Sequence, residues 1–142
     1  PLIFAMHPRT RANMERFGLQ ELLSDPRIVL LPPQGYLEML GLLKGSRLVL
    51  SDSGGLQEET TALGVPCLTI RENTERPITV DQGTNTLVGD NPDAIRAGVD
   101  EILAGNGKTG RIPEFWDGRA AERIAADLAA WLLARQDQPA SL

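Results

Sequence analysis

The densest run of chemistry-capable residues is Ser51-Asp52-Ser53-Gly54-Gly55-Leu56-Gln57-Glu58-Glu59. It follows an apolar run, Arg47–Leu50, and leads into a helical pattern. A strand, a Ser-Gly-Gly turn and a helix with early carboxylates suit the binding of a nucleoside diphosphate. Glycines carry no Cβ, so backbone can approach a phosphate closely. The first N–H groups of a helix lack internal partners and lie at the positive end of its macrodipole. An acid one turn on, Glu59, can accept from ribose hydroxyls. Glu58 points to a different helix face and reads as a dipole partner or a solvated residue. A second run, Arg71-Glu72-Asn73-Thr74-Glu75-Arg76-Pro77, offers a cation after the next strand. Arg76 is the first candidate and Arg71 the alternative, because a guanidinium grips two oxygens and stays charged. Glu75 reads as an orienter of Arg76 or as solvated.

These residues need a scaffold, and the pattern supplies one. Apolar strands are expected at Leu2–Met6, Arg27–Leu31, Arg47–Leu50, Cys67–Ile70 and Thr84–Val88. Helices are expected from Pro8 to Phe17, Gly35 to Lys44, Ser53 to Leu63, Pro92 to Leu103 with Asn91 as N-cap, and Asp117 to Arg135. Residues 71–82 and 105–113 read as loops, and 136–142 as a frayed tail. Alternating strands and helices imply an α/β fold with a mostly parallel sheet covered on both faces. Ligands of such sheets lie beyond the carboxyl ends of the strands. His7, Gln34, Ser53 and the 71–76 run all follow strands, so they are expected along one edge.

Bulk properties narrow the function. A chain of 142 residues suits one domain, taken here as 1–135. A formal net charge of -5 argues against nucleic acid, whose binding is dominated by phosphate neutralisation. No apolar stretch is long enough for a bilayer, so no membrane partner is expected. The single cysteine, Cys67, forms no internal disulfide and reads as a small core residue. One histidine, His7, without a cysteine pair, argues against a metal. It is open to a ligand-facing or a structural reading, with Arg9 as cationic companion. Tyr36 lies on the apolar face of its helix with Met39 and reads as core rather than ligand. The chain opens on Pro1 inside an apolar run, with no signal peptide, as a processed product or a fragment would.

His7-Pro8-Arg9-Thr10, Pro33-Gln34-Gly35-Tyr36-Leu37, Ser51–Glu59, Thr74-Glu75-Arg76-Pro77 and Gly83-Thr84-Asn85-Thr86-Leu87-Val88-Gly89 come in the order and spacing of one family. From about Ile3 to Leu133 the chain resembles the C-terminal half of non-hydrolysing UDP-N-acetylglucosamine 2-epimerases. The resemblance implies a Rossmann-like, three-layer domain, one half of a two-domain enzyme of the GT-B type. In that family UDP is eliminated to leave a 2-acetamidoglucal and re-added with C2 inverted, giving the ManNAc epimer. The acids and bases for this lie mainly in the N-terminal domain, so no catalytic residue is expected here. A strand and helix carrying a His-Arg motif also have no counterpart in the chain, which implies inactivity in isolation.

Residue by residue, the resemblance implies pyrophosphate contacts at Ser53, Gly54 and Gly55, a ribose-binding carboxylate at Glu59 and a diphosphate cation at Arg76. It implies that Gln34 and its neighbours meet the uracil. Met39 stands where the family often has an aromatic residue. His7 matches a histidine that helps bind a second, allosteric substrate molecule in the cleft, with Arg9, Tyr36 and Met39 as further candidates there. The implied partners are UDP-sugar, the absent N-terminal domain and a second copy in a homodimer. A cytoplasmic setting in cell-surface polysaccharide biosynthesis is implied, with no cofactor. The last helix, with Trp131, and nearby Trp116 offer apolar surface for self-association. Two rivals remain: half of a nucleotide-sugar glycosyltransferase, and a non-catalytic nucleotide-binding module.

Overall fold

The computed structural model describes residues 1–136, and contacts divide the chain into two compact units, Pro1–Gly45 and Ser46–Leu142. The tail expected at 136–142 falls, beyond Gln136, outside the described residues.

In the first unit β1 (Leu2–Ala5) leads to α1 (Pro8–Arg16), a 3-10 turn (Gln20–Ser24), β2 (Ile28–Leu31) and α2 (Tyr36–Lys44). The strands are parallel, with Leu2 opposite Ile28 and Ala5 opposite Leu31. Pro8 stands in the first turn of α1, where its missing N–H costs nothing, and Gly18 takes φ +65° just past the helix end. Glu38 in the first turn of α2 and Lys44 in its last complement the helix dipole. β1 is less buried than its apolar sequence suggests: Leu2 and Ile3 are 56% and 48% exposed, because among the described residues β1 pairs only with β2. Met6, just beyond it, is buried.

The second unit runs β3 (Val49–Ser51), α3 (Gly54–Leu63), β4 (Cys67–Thr69), α4 (Pro77–Asp81), β5 (Asn85–Leu87), α5 (Pro92–Glu101), a π turn (Ile102–Asn106) and α6 (Ala120–Gln136). Its sheet has the order β3-β4-β5, all parallel, with Val49, Cys67 and Asn85 in register. Alternate side chains of β4 meet different helices, as strand geometry requires. Cys67 meets Thr60 of α3, while Leu68 packs under Gly98 of α5, where a Cβ would come within 3.1 Å of it. This gives helix, sheet and helix in three layers. α3 stops at Gly64, whose φ of +70° only glycine adopts without strain. Asn91 caps α5 through its side chain, and Pro92 opens the helix, as expected from the sequence.

The 71–82 segment and the last helix are among the elements that differ from expectation. The segment 71–82 is not all loop, because Pro77 starts the five-residue α4 behind Arg76. The last helix begins at Ala120 rather than Asp117. Asp117 stands ahead of it, accepting from the Arg119 amide at 3.0 Å and pairing with Arg123 at 2.5 Å. Among the described residues no helix is long and apolar enough to cross a membrane.

Candidate functional site

β3 ends at Ser51, whose Oγ accepts from the Ser53 amide at 3.0 Å. This bond turns the chain out of the sheet and into α3. Ser53 is the N-cap residue, with extended φ and ψ of -82° and 127°, yet its side chain makes no capping bond. Serine normally satisfies one of the first helix amides from this position. Here the hydroxyl and those amides remain available to an incoming acceptor. A Cβ on Gly55 would meet only Ser53 Oγ, at 3.9 Å, so the space above Gly55 is open. A Cβ on Gly54 would run into Glu75 Oε1, so at Gly54 the glycine is required by the neighbouring loop.

Glu59 lies four residues after Gly55, hence on the same face of α3 one turn further on. It is half-buried, and its carboxylate has no hydrogen-bond or ion-pair partner among the described residues. A half-buried carboxylate without an internal partner is suited to accept from a ligand diol.

The loop before α4 brings the cations. Arg76 Nε comes within 3.0 Å of Glu58 Oε1. The approach is a charge contact and not an aligned hydrogen bond, and the buried Nε has no hydrogen-bond partner. Glu58, read from sequence as a dipole partner or solvated, is therefore the residue that holds Arg76 beside α3. Glu75 does not pair with Arg76 but with Arg71, at 3.1 Å. Its own backbone amide, followed by the charges of Arg71 and Arg76, holds the Glu75 carboxyl below the ordinary range.

A buried polar network, absent from the sequence reading, fixes this loop. Gln57 is fully buried, and its Oε1 accepts from Thr74 Oγ1 at 2.6 Å and from Asn85 Nδ2 at 3.0 Å. Asn85 also donates to Thr79 Oγ1 and accepts from Thr69 Oγ1. The Arg76 backbone is held on both sides: its amide donates to Thr74 Oγ1 at 2.9 Å and its carbonyl accepts from Thr79 Oγ1 at 2.7 Å. Three separate sequence runs thus meet at one set of amide and hydroxyl groups. The only sequence signal was a glutamine on the same helix face as Thr60 and Thr61, where apolar residues were due.

The residues expected in the first unit stand as follows. His7 is the N-cap of α1, and its Nδ1 accepts from the Arg9 amide at 3.2 Å. In the neutral ring this leaves Nε2 as the protonated, outward donor. Arg9 is exposed. Gln34 donates its amide nitrogen to the Pro32 carbonyl at 2.7 Å, which leaves Oε1 as an acceptor. Tyr36, read from sequence as a core residue, is instead 66% exposed, because it sits at the first helical position of α2 rather than one turn inside it. Met39 is half-buried, while Leu43 carries the buried face. Among the described residues no group of three or more His, Cys, Asp or Glu side chains could hold a metal ion.

The family model described as UDP-N-acetylglucosamine 2-epimerase matches residues 1–129. The chain belongs to this family. A UDP-N-acetylglucosamine 2-epimerase of Methanocaldococcus jannaschii is 46% identical over 124 residues, which is 87% of this chain and 33% of that protein. A UDP-2,3-diacetamido-2,3-dideoxy-D-glucuronate 2-epimerase of Pseudomonas aeruginosa is 41% identical over 133 residues, 91% of this chain and 35% of the relative. The chain therefore spans about a third of the length of the epimerases it matches. The fold agrees with solved family members. The M. jannaschii epimerase in complex with UDP-GlcNAc and UDP superposes with a TM-score of 0.80 at 45% identity, covering 90% of this chain and 35% of that one. The Neisseria meningitidis epimerase bound to UDP-GlcNAc gives 0.76 at 33% identity, with the same coverage. The architecture is thus the Rossmann-like α/β layering of one part of a GT-B epimerase.

Proposed function

We propose that this chain is the UDP-binding part of a UDP-N-acetylglucosamine 2-epimerase, with residues 1–135 acting as its C-terminal domain. The observation that carries the reading is the start of α3: an uncapped N-terminus with open space over Gly55, and an unpaired acid, Glu59, one turn on. Ser53, Gly54 and Gly55 bind the pyrophosphate, Arg76 neutralises it, Glu59 takes the ribose hydroxyls and Gln34 offers its Oε1 to the uracil. His7, Arg9, Tyr36 and Met39 serve a second sugar nucleotide or the cleft. The two relatives described above are named for different sugars, and UDP is what those names share, which supports assigning the UDP end to this chain.

In the whole enzyme the activity is interconversion of UDP-GlcNAc and UDP-ManNAc by loss and return of UDP, in a cytoplasmic homodimer serving cell-surface polysaccharide synthesis. The chain alone binds UDP without epimerising it. Calorimetric titration of the chain with UDP is expected to give a Kd of about 0.1–1 mM, roughly -4 to -5.5 kcal/mol. Glu59→Ala is expected to weaken it; equal affinity in that variant removes the ribose assignment. No UDP binding at all refutes the reading. For a full-length protein carrying this chain, sugar transfer to an acceptor in place of epimerisation would favour the glycosyltransferase rival.

A further inference from the structure

We propose that the Glu75 carboxylate is an internal anion beside the start of α3 that repels an incoming diphosphate, so that Glu75 sets the affinity of the site. The inference rests on the proposed UDP site and concerns its regulation. Glu75 Oε1 lies so close to Gly54 that a Cβ there would collide with it. Its other oxygen holds Arg71 at 3.1 Å. One carboxylate thus faces the helix start with one oxygen and a cation with the other, the two partners a phosphate would seek. α3 has no acid in its own first turn and no side-chain cap, and the Glu75 carboxylate lies beside its first residue, where a negative charge suits the dipole.

The neighbouring charges are Arg71, Arg76 and, through Arg76, Glu58. The backbone amide of Glu75, followed by the two arginines, favours its ionised form. Like charges at one helix terminus repel, so a bound diphosphate favours Glu75 swinging away. Its side chain is 50% exposed and has room to swing outward. Departure frees Arg71, which then joins Arg76 on the diphosphate. Glu75 therefore shields the site when it is empty and opposes retention of UDP once it is bound.

The test titrates the chain and its Glu75→Gln variant with UDP and with inorganic pyrophosphate. The glutamine keeps the shape and removes the charge. Both ligands are expected to bind the variant more tightly, by roughly tenfold, the scale of one or two solvent-screened charge contacts. In the free protein the Gly54 amide resonance is expected to move on Glu75→Gln, and in the UDP-saturated protein to coincide between the two. If the wild-type chain binds UDP but the variant binds equally or less tightly, Glu75 only orients Arg71; the inference fails and the UDP site stands. A Gly54 resonance indifferent to the substitution overturns it as well. If neither protein binds UDP, both readings fall.

Discussion

Gly55→Ala separates ligand binding from folding more cleanly than any other single change. Gly55 has helical, not left-handed, backbone, and an added Cβ meets only Ser53 Oγ at 3.9 Å. The substitution is thus free of clash in the folded chain. Replacing glycine by alanine at a compatible site stabilises by about 0.4–1 kcal/mol, chiefly by restricting the unfolded chain. For a domain of this size that raises Tm by roughly 1–4 °C. The same Cβ tilts toward the helix N-terminus and enters the space assigned to the pyrophosphate. Holding a phosphate oxygen off the first amides forfeits one or two charge-assisted hydrogen bonds of about 1.5–3 kcal/mol each. UDP affinity should then fall at least tenfold while stability rises. Calorimetry and a thermal melt on the same preparation read both quantities. Undiminished UDP affinity in a folded Gly55→Ala protein would show that no phosphate lies over Gly55.

Other consequences follow from the same geometry. Thr74→Val removes the bond to Gln57 and the acceptor for the Arg76 amide. Two lost hydrogen bonds, one leaving a part-buried N–H unpaired, cost about 2–3 kcal/mol; a urea-unfolding change below about 0.5 kcal/mol contradicts the network. Burial raises the Cys67 thiol above its ordinary 9.0, with Thr60 and Thr69 only partly offsetting this. Ellman's reagent at pH 8 should label it only after unfolding. The Arg123 guanidinium and the Arg119 amide lower Asp117 from 3.8 to about 2. Its contribution to stability is complete above about pH 4 and disappears as pH falls through about 2. Asp117→Asn should flatten the acid limb of the stability curve in that window, and an unchanged limb would contradict the pairing.

Much of the scaffold was legible because local chemistry decides it. Asn91-Pro92 announces a helix start by itself, and Gly64 a helix stop. The Ser-Gly-Gly bend after β3 was legible for the same reason. What escaped was set by tertiary pairing. Glu58 looked like a solvated residue because its partner, Arg76, arrives from a loop on the far side of β4. Glu75 read as an orienter of Arg76 or as solvated, but the chain's path gives it to Arg71. The network of Gln57, Thr74 and Asn85 joins groups up to 28 residues apart, and no periodicity reports a buried amide. α4 was missed because five residues, three of them β-branched, leave no helical period to see.

The central claim is that the diphosphate of UDP sits on the first amides of α3. The most direct measurement is an amide-resolved NMR titration of the chain with UDP. The account predicts that Gly54, Gly55 and Leu56 move most, saturating together with the Glu59 amide on the same helix face. Saturable shifts centred elsewhere, with these four amides still, would contradict it.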